Sequence, residues 1–263
     1  MTELGIIMAG AGAALCMEPL LATVVQGAGA IELAGTAEQQ RLLAELGTGE
    51  HTLAFCHAEP DGGFARDYVQ SVASTKDGSY VLSGQKAFAL HAQAADSLVI
   101  SARIGGTDGP IGLFLVSRGT EGVETRPAPT LDTRRGAAIN LNQVSVPCDA
   151  LLGGNDTDRQ SVIDQVLDRA LVALCAEAAG AMAEVTEQTV EYLKTRQQFG
   201  QPLSKFQVLQ HRLVDMSIAC EEARASAQRA LNAMDTGDAD ARTIVWRAKV
   251  QMAKSARFVG GQA

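Results

Sequence analysis

Two stretches of the chain carry residue types in an order that could do chemistry. The first is Tyr192-Leu193-Lys194-Thr195-Arg196-Gln197-Gln198-Phe199-Gly200-Gln201-Pro202-Leu203-Ser204-Lys205-Phe206-Gln207. It closes one helical pattern, turns at Gly200–Pro202 and opens another, with Ser204 the expected N-cap. Arg196 offers a planar guanidinium fork, a helix start presents free N–H groups to negative charge, and Gln207 adds an amide. The corner therefore suits an anion. A plainer account also fits: a helical hairpin in which Arg196 offsets the negative end of a helix and Phe199 and Phe206 are core. The second stretch, Phe55-Cys56-His57-Ala58-Glu59-Pro60-Asp61-Gly62-Gly63, reads as a strand running into a Pro/Gly turn.

Other constellations lack what their chemistry needs. Gly10-Ala11-Gly12 begins like a dinucleotide fingerprint, but Leu15 holds the sixth position and no strand precedes it; close helix packing is the better reading. His57-Ala58-Glu59 with Pro147-Cys148 imitates the layout of a zinc deaminase, yet Leu151 stands where the second cysteine is required. No nucleophile elbow, HExxH helix or Walker loop occurs. The four histidines, His51, His57, His91 and His211, have no paired spacing.

The elements that must position these stretches fall into three parts. Apolar residues recur at helical spacing from Leu4 to Leu15. Further helices are expected over Leu20–Leu33 and Thr36–Leu46, the latter with Thr36 and Gln39 as a capping box. From about Thr52 the period changes to two. A hairpin turns at Lys76-Asp77-Gly78-Ser79, and more strands are expected at 96–103, 110–117, 122–126 and 137–146, a small barrel or sandwich. From Asp158 the helical period returns and holds, with a stripe from Val162 through Val185, a second helix from Ser204 towards Met234 and a third from near Ala239. Long helices with short connections make a bundle.

Composition bounds the function class. Of 263 residues, 46% are hydrophobic and 20% charged, which suits a folded chain with a core. A net charge of −8 without a Lys/Arg cluster argues against nucleic acid. Five scattered cysteines without a CxxC pair read as reduced thiols. The apolar run Leu4–Met17 carries Glu3 in place of a positive n-region and is too short to span a bilayer. The expectation is a soluble cytoplasmic protein with no membrane role.

The stretch around Arg196 resembles the RxxFG…Q signature of the acyl-CoA dehydrogenase family. Glu59-Pro60 sits where that family's TEPxAGSD turn would be, and Gly84-Gln85-Lys86 matches the GxK before its flavin-facing strand. Ala248-Lys249 through Arg257-Phe258-Val259-Gly260 resembles its last-but-one helix. Phe206–His211 and Leu174–Gly180 are closest to the pimeloyl-CoA dehydrogenase small-subunit-like branch. The resemblance implies an α+β fold: partial N-terminal helices (1–50), a β-barrel middle domain (51–153) and a partial C-terminal helix bundle (154–263), incomplete at both ends. It implies oxidation of an acyl-CoA thioester to the trans-2-enoyl form with FAD as hydride acceptor, an electron-transfer partner, and a homo-oligomer or a hetero-oligomer with a related subunit. Carried over by position, Arg196, Gln198, Phe199 and Gln207 contact the FAD diphosphate and adenosine. Phe55, His57, Ala58, Phe88 and Leu90 lie along the flavin ring.

The departures are specific. Ala58 replaces a threonine, Leu90 replaces a hydroxyl residue, Phe88 stands where Trp is common, and the Pro60–Phe64 turn lacks the motif's serine. The catalytic base is unassigned. One family position for it falls at about Ala170, and Asp168, the nearest carboxylate, points about 200° away on a helix. The alternative is a non-catalytic partner subunit that completes a neighbour's FAD site.

Overall fold

A computed structural model describes residues 1–263. Two compact units emerge, one formed by Glu18–Leu167 and one by Met1–Met17 with Asp168–Ala263.

In the first unit, Leu20–Ala28 winds as a π-helix and continues as α2 (Gly29–Ala34). The expected helix over Leu20–Leu33 therefore exists, but its first part has wider turns than the 3.6 period implies. Thr23 Oγ accepts from the Leu53 N–H at 3.1 Å and donates to the Leu53 carbonyl at 2.9 Å, fixing this segment to the first strand. The capping box forms: the Thr36 N–H donates to Gln39 Oε1 at 2.8 Å and the Gln39 N–H to Thr36 Oγ at 3.2 Å. A 3-10 turn at Gln39–Arg41 then leads into α3 (Leu42–Thr48), so the regular helix starts later than expected.

The strands are β1 (Leu53–Cys56), β2 (Val72–Lys76), β3 (Ser79–Leu90), β4 (Ser97–Ile104), β5 (Ile111–Ser117), β6 (Val123–Pro129) and β7 (Arg135–Pro147). They form one sheet in the order β1-β4-β2-β3-β7-β6, with β5 on β4. The β2–β3 hairpin turns through Asp77 and Gly78 at φ +49° and +76°; positive φ at both central residues matches the right-handed twist of the flanking strands. β1, β4 and β5 alternate between two buried faces. Ala54, Cys56, Leu98, Ile100 and Phe114 join one core with Leu82, Ile139 and Val144, while Leu53, Phe55, Val99 and Leu113 join another with Ile31 and Ile163. The edge-to-face contact of Tyr80 with Phe114, centroids 5.2 Å apart, brings β3 over β5 and shows that the sheet curls. β6 pairs only with β7, and β5 pairs with no strand but β4, its other side meeting the chain at Leu151–Leu152, so the curl stays open as a half-barrel.

The second unit holds α1 (Thr2–Ala13), most of α4 (Gln160–Thr195), α5 (Gln207–Thr236) and α6 (Ala241–Gln262). Ile244, Val245, Ala248, Met252, Ser255 and Val259 are the buried stripe of α6, at helical spacing. They meet Val172, Cys175, Met182, Met216 and Leu231 in a third core. Gly12 and Gly180 let α1 approach α4 closely: a Cβ at Gly12 would lie 1.9 Å from the Glu177 carbonyl oxygen, and one at Gly180 1.9 Å from that of Ala9.

Candidate functional site

The half-barrel buries a charged cluster where β1 leaves the sheet. Lys86 shares strand parity with Tyr80 and Leu82, so it is carried inward and its side chain is fully buried. An isolated ammonium there would cost several kcal/mol; Glu59, also buried, offsets this with an oxygen 2.6 Å from Nζ. Glu59 Oε1 also accepts from the Ser71 N–H at 3.0 Å and hydroxyl at 2.7 Å, and Oε2 from the Gln70 N–H at 2.7 Å. Gly84, at φ +146°, is required beside it, because a Cβ would lie 2.4 Å from Ser71 Oγ. Burial alone would raise the Glu59 pKa, but the Lys86 charge and these donors together hold the carboxyl below its ordinary value. Burial likewise pulls Lys86 down, with Glu59 opposing.

Lys86 Nζ also donates to Ser101 Oγ at 3.1 Å and to the His57 carbonyl at 3.4 Å. His57 Nδ1 lies 2.9 Å from Ser101 Oγ, and Nε2 lies 2.9 Å from the Arg66 carbonyl. Burial, then the nearby Lys86 charge, lowers the His57 pKa to about 4, so the ring is neutral at pH 7. A carbonyl can only accept, so the ring proton sits on Nε2 and the bare Nδ1 accepts from Ser101. The backbone closes the same corner, with the Ala87 N–H donating to the Ala58 carbonyl at 2.8 Å.

The expected ring-lining residues divide around this cluster. Phe55 and His57 are buried, their rings 6.0 Å apart. Ala58 and Ala87 are exposed, which leaves backbone and methyl groups on the surface. Phe88 is half-buried over Gly136, where a Cβ would meet its ring at 2.4 Å, and Leu90 is half-buried at the strand end. An open groove of about 570 Å³ runs beside Ala87, bordered by Pro60, Gln85, Arg126 and Asn140.

The Arg196 corner lies in the helical unit. Gln197–Gln198 (β8) pairs with Gln201–Pro202 (β9) around Phe199 and Gly200, at φ +53° and +78°. A phenylalanine in the left-handed region costs about 1–2 kcal/mol, and here it holds an almost fully exposed ring edge-on to Phe206, centroids 6.1 Å apart. Ser204 does not cap the next helix. Leu203–Lys205 forms a 3-10 turn, Phe206 occupies the N-cap, and α5 starts at Gln207 without a side-chain cap. The first α5 N–H groups thus remain open to a ligand. Arg196, Gln198 and Gln207 are exposed, and Arg196 forms no ion pair.

Asp168 accepts from Arg242 Nε at 2.9 Å, and Ala170 is buried. No group of three or more His, Cys, Asp or Glu side chains could hold a metal ion, and no helix is long and apolar enough to cross a membrane. The expected strand-and-turn motif at Glu59 points towards the buried cluster, but nothing in the motif singles out Ser101 or Ser71. Alternation along β3 is the signal that places Lys86 inside.

Comparison with known proteins matches residues 161–263 to the model "Acyl-CoA dehydrogenase, C-terminal domain" and residues 54–144 to "Acyl-CoA dehydrogenase, middle domain". An L-prolyl-[peptidyl-carrier protein] dehydrogenase of Serratia sp. is 31% identical over 79% of this chain and 55% of its own length. A short-chain specific acyl-CoA dehydrogenase of Megasphaera elsdenii is 31% identical over 78% of this chain and 55% of its own length. The chain thus spans about half the length of these curated relatives. Among solved structures, the FAD complex of PigA superposes with a TM-score of 0.84 at 27% identity, over 92% of this chain and 64% of that one. The ChsE4-ChsE5 complex of Mycobacterium tuberculosis shares the fold, with a TM-score of 0.85 at 24% identity over 99% of this chain and 68% of that one.

Proposed function

Since the chain belongs to the acyl-CoA dehydrogenase family, we propose that it serves an FAD-dependent α,β-dehydrogenation of an acyl thioester, acyl-CoA to trans-2-enoyl-CoA. The observation that carries this reading is the Arg196 corner: an exposed guanidinium without a carboxylate partner beside an uncapped helix start. This donor set fits a diphosphate. Ala58 and Ala87 add an exposed backbone edge next to Phe88 that fits a flat aromatic ring. When bound, FAD supplies the hydride acceptor that no side chain can provide. In this reading Arg196, Gln198 and Gln207 hold the diphosphate and adenosine with Phe199 beside them. Phe88 and Leu90 wall the ring, with Ala58 at its edge and Phe55 and His57 supporting that edge from within.

The base that takes the α-proton is unassigned among these residues. Ala58 and Leu90, which lack hydroxyls, favour a second reading, in which the chain completes the FAD site of a related subunit. Either way the protein works in the cytoplasm as a homo- or hetero-oligomer and passes electrons to a partner.

The test is the visible spectrum of the purified, desalted protein before and after FAD is added. A flavin spectrum that stays with the protein, bleached anaerobically by an acyl-CoA, supports dehydrogenation by this chain. Bleaching only after a full-length relative is added selects the partner reading. A protein that stays colourless in every mixture refutes both.

A further inference from the structure

The buried cluster carries more than a fold requires. Glu59, Lys86, Ser101 and His57 come from the β1 exit, β3 and β4, and their hydrogen bonds run in a single direction. Lys86 donates to Ser101, Ser101 to His57 Nδ1, and His57 Nε2–H to the Arg66 carbonyl. That carbonyl also accepts from Gln160 Nε2 at 3.1 Å, which ties the chain after the Pro60 turn to the first turn of α4. Every proton of the relay has one place to be. Two of its members, His57 and Lys86, are the chain neighbours of Ala58 and Ala87, whose backbones bond to each other at the exposed edge.

We propose that the Glu59–Lys86 pair and its Ser101–His57 relay position the flavin ring and set the charge beneath it; this rests on the FAD reading above. Two observations favour positioning over stability alone. A buried ion pair is often no more stabilising than apolar residues of the same volume, and the curled sheet has ample apolar side chains around it. In addition, Lys86 donates to the carbonyl of His57 and the Ala87 N–H to that of Ala58, so the charge is coupled to the backbone on which the ring would rest. None of these residues touches the reacting atoms; they act through the backbone and through the field.

The test measures the flavin midpoint potential in two opposed variants with FAD bound. Glu59→Gln, read at a pH low enough for the buried Lys86 to keep its proton, leaves that cation without its counter-ion, favours the more negative reduced flavin and raises the potential. Lys86→Met, read at a pH high enough for Glu59 to stay ionised, leaves the carboxylate alone and lowers it. Shifts of opposite sign support the proposal, since loosened packing would move both variants the same way. Equal shifts, or none, in variants that still bind FAD overturn it and leave the FAD reading standing. A wild-type protein that takes up no FAD, alone or with a full-length relative, overturns both.

Where a single-charge variant does not fold, the protein without FAD still decides through the nitrogen chemical shifts of His57. The charged groups that face this ring are Lys86, Glu59 and, from α4, Asp164. A pure Nε2–H tautomer that does not titrate between about pH 5 and 8, and that becomes mixed in Ser101→Ala, supports the relay. An Nδ1–H ring, or an ordinary histidine titration, overturns it.

Discussion

At the scale of single residues, the two candidate regions differ in how their charges are held. Arg196 is exposed and unpaired, so its worth lies in what it binds. Arg196→Ala should weaken FAD retention by about 1.5–3 kcal/mol, the value of a charge-assisted phosphate contact; a titration followed by flavin fluorescence measures it. His57 is held by the fold instead. Its folded pKa of about 4 lies below the 6.5 it regains on unfolding, so the unfolded chain binds more protons between those values. Stability is therefore complete above pH 6.5 and falls as the pH drops towards 4, by on the order of 3 kcal/mol. Glu59, held below its ordinary 4.5, adds a loss of the same sign at lower pH. Urea unfolding at a series of pH values should show this slope in the wild type and a flatter one in His57→Gln.

At the scale of elements, close approach outweighs propensity. Alanine in place of a helix-interior glycine ordinarily stabilises by about 1 kcal/mol. At Gly180 the added methyl would sit 1.9 Å from the backbone oxygen of Ala9, an atom that cannot swing aside. Gly180→Ala should therefore reverse the usual sign and destabilise by about 1–3 kcal/mol, as should Gly12→Ala; chemical denaturation of each tests this. The same logic explains one end of the Gly10-Ala11-Gly12 run: Gly12 serves helix packing, whereas Gly10 is exposed and a Cβ there would meet nothing. In β3 the deciding feature is a pair of register shifts against β7, at Leu82/Gly84 and Lys86/Ala89. The second returns Ala89 to the buried side after Lys86, so one strand delivers both the buried ammonium and the exposed Ala87–Phe88 edge.

At the scale of the molecule, the helical unit leaves large apolar side chains exposed: Trp246, Val250 and Phe258 follow one another along one side of α6, and Val208, Val214 and Ile218 are exposed on α5. Exposed apolar patches of this kind mark association surfaces. We expect light scattering to report an oligomer, and Val250→Glu to shift it towards monomer without lowering the melting temperature. A wild-type monomer at micromolar concentration would contradict this.

What the sequence by itself determined is the part written in neighbouring residues. The Thr36/Gln39 capping box, the Asp77-Gly78 hairpin, the buried stripe of α6 and the Arg196–Gln207 segment all rest on hydrogen bonds or periodicities only a few residues long. Ser204 misled because a 3-10 turn competed for the same helix start, and the π-helical turns at Leu20–Ala28 carry a period close enough to helical to hide. Tertiary structure alone decided the rest. Glu59 and Lys86 are 27 residues apart and His57 and Ser101 are 44 apart, so no local pattern joins them. Strand order brings them together. Only a sheet curled over its own core removes enough water to make a lysine, a glutamate and a neutral histidine hold one another in a single arrangement of protons.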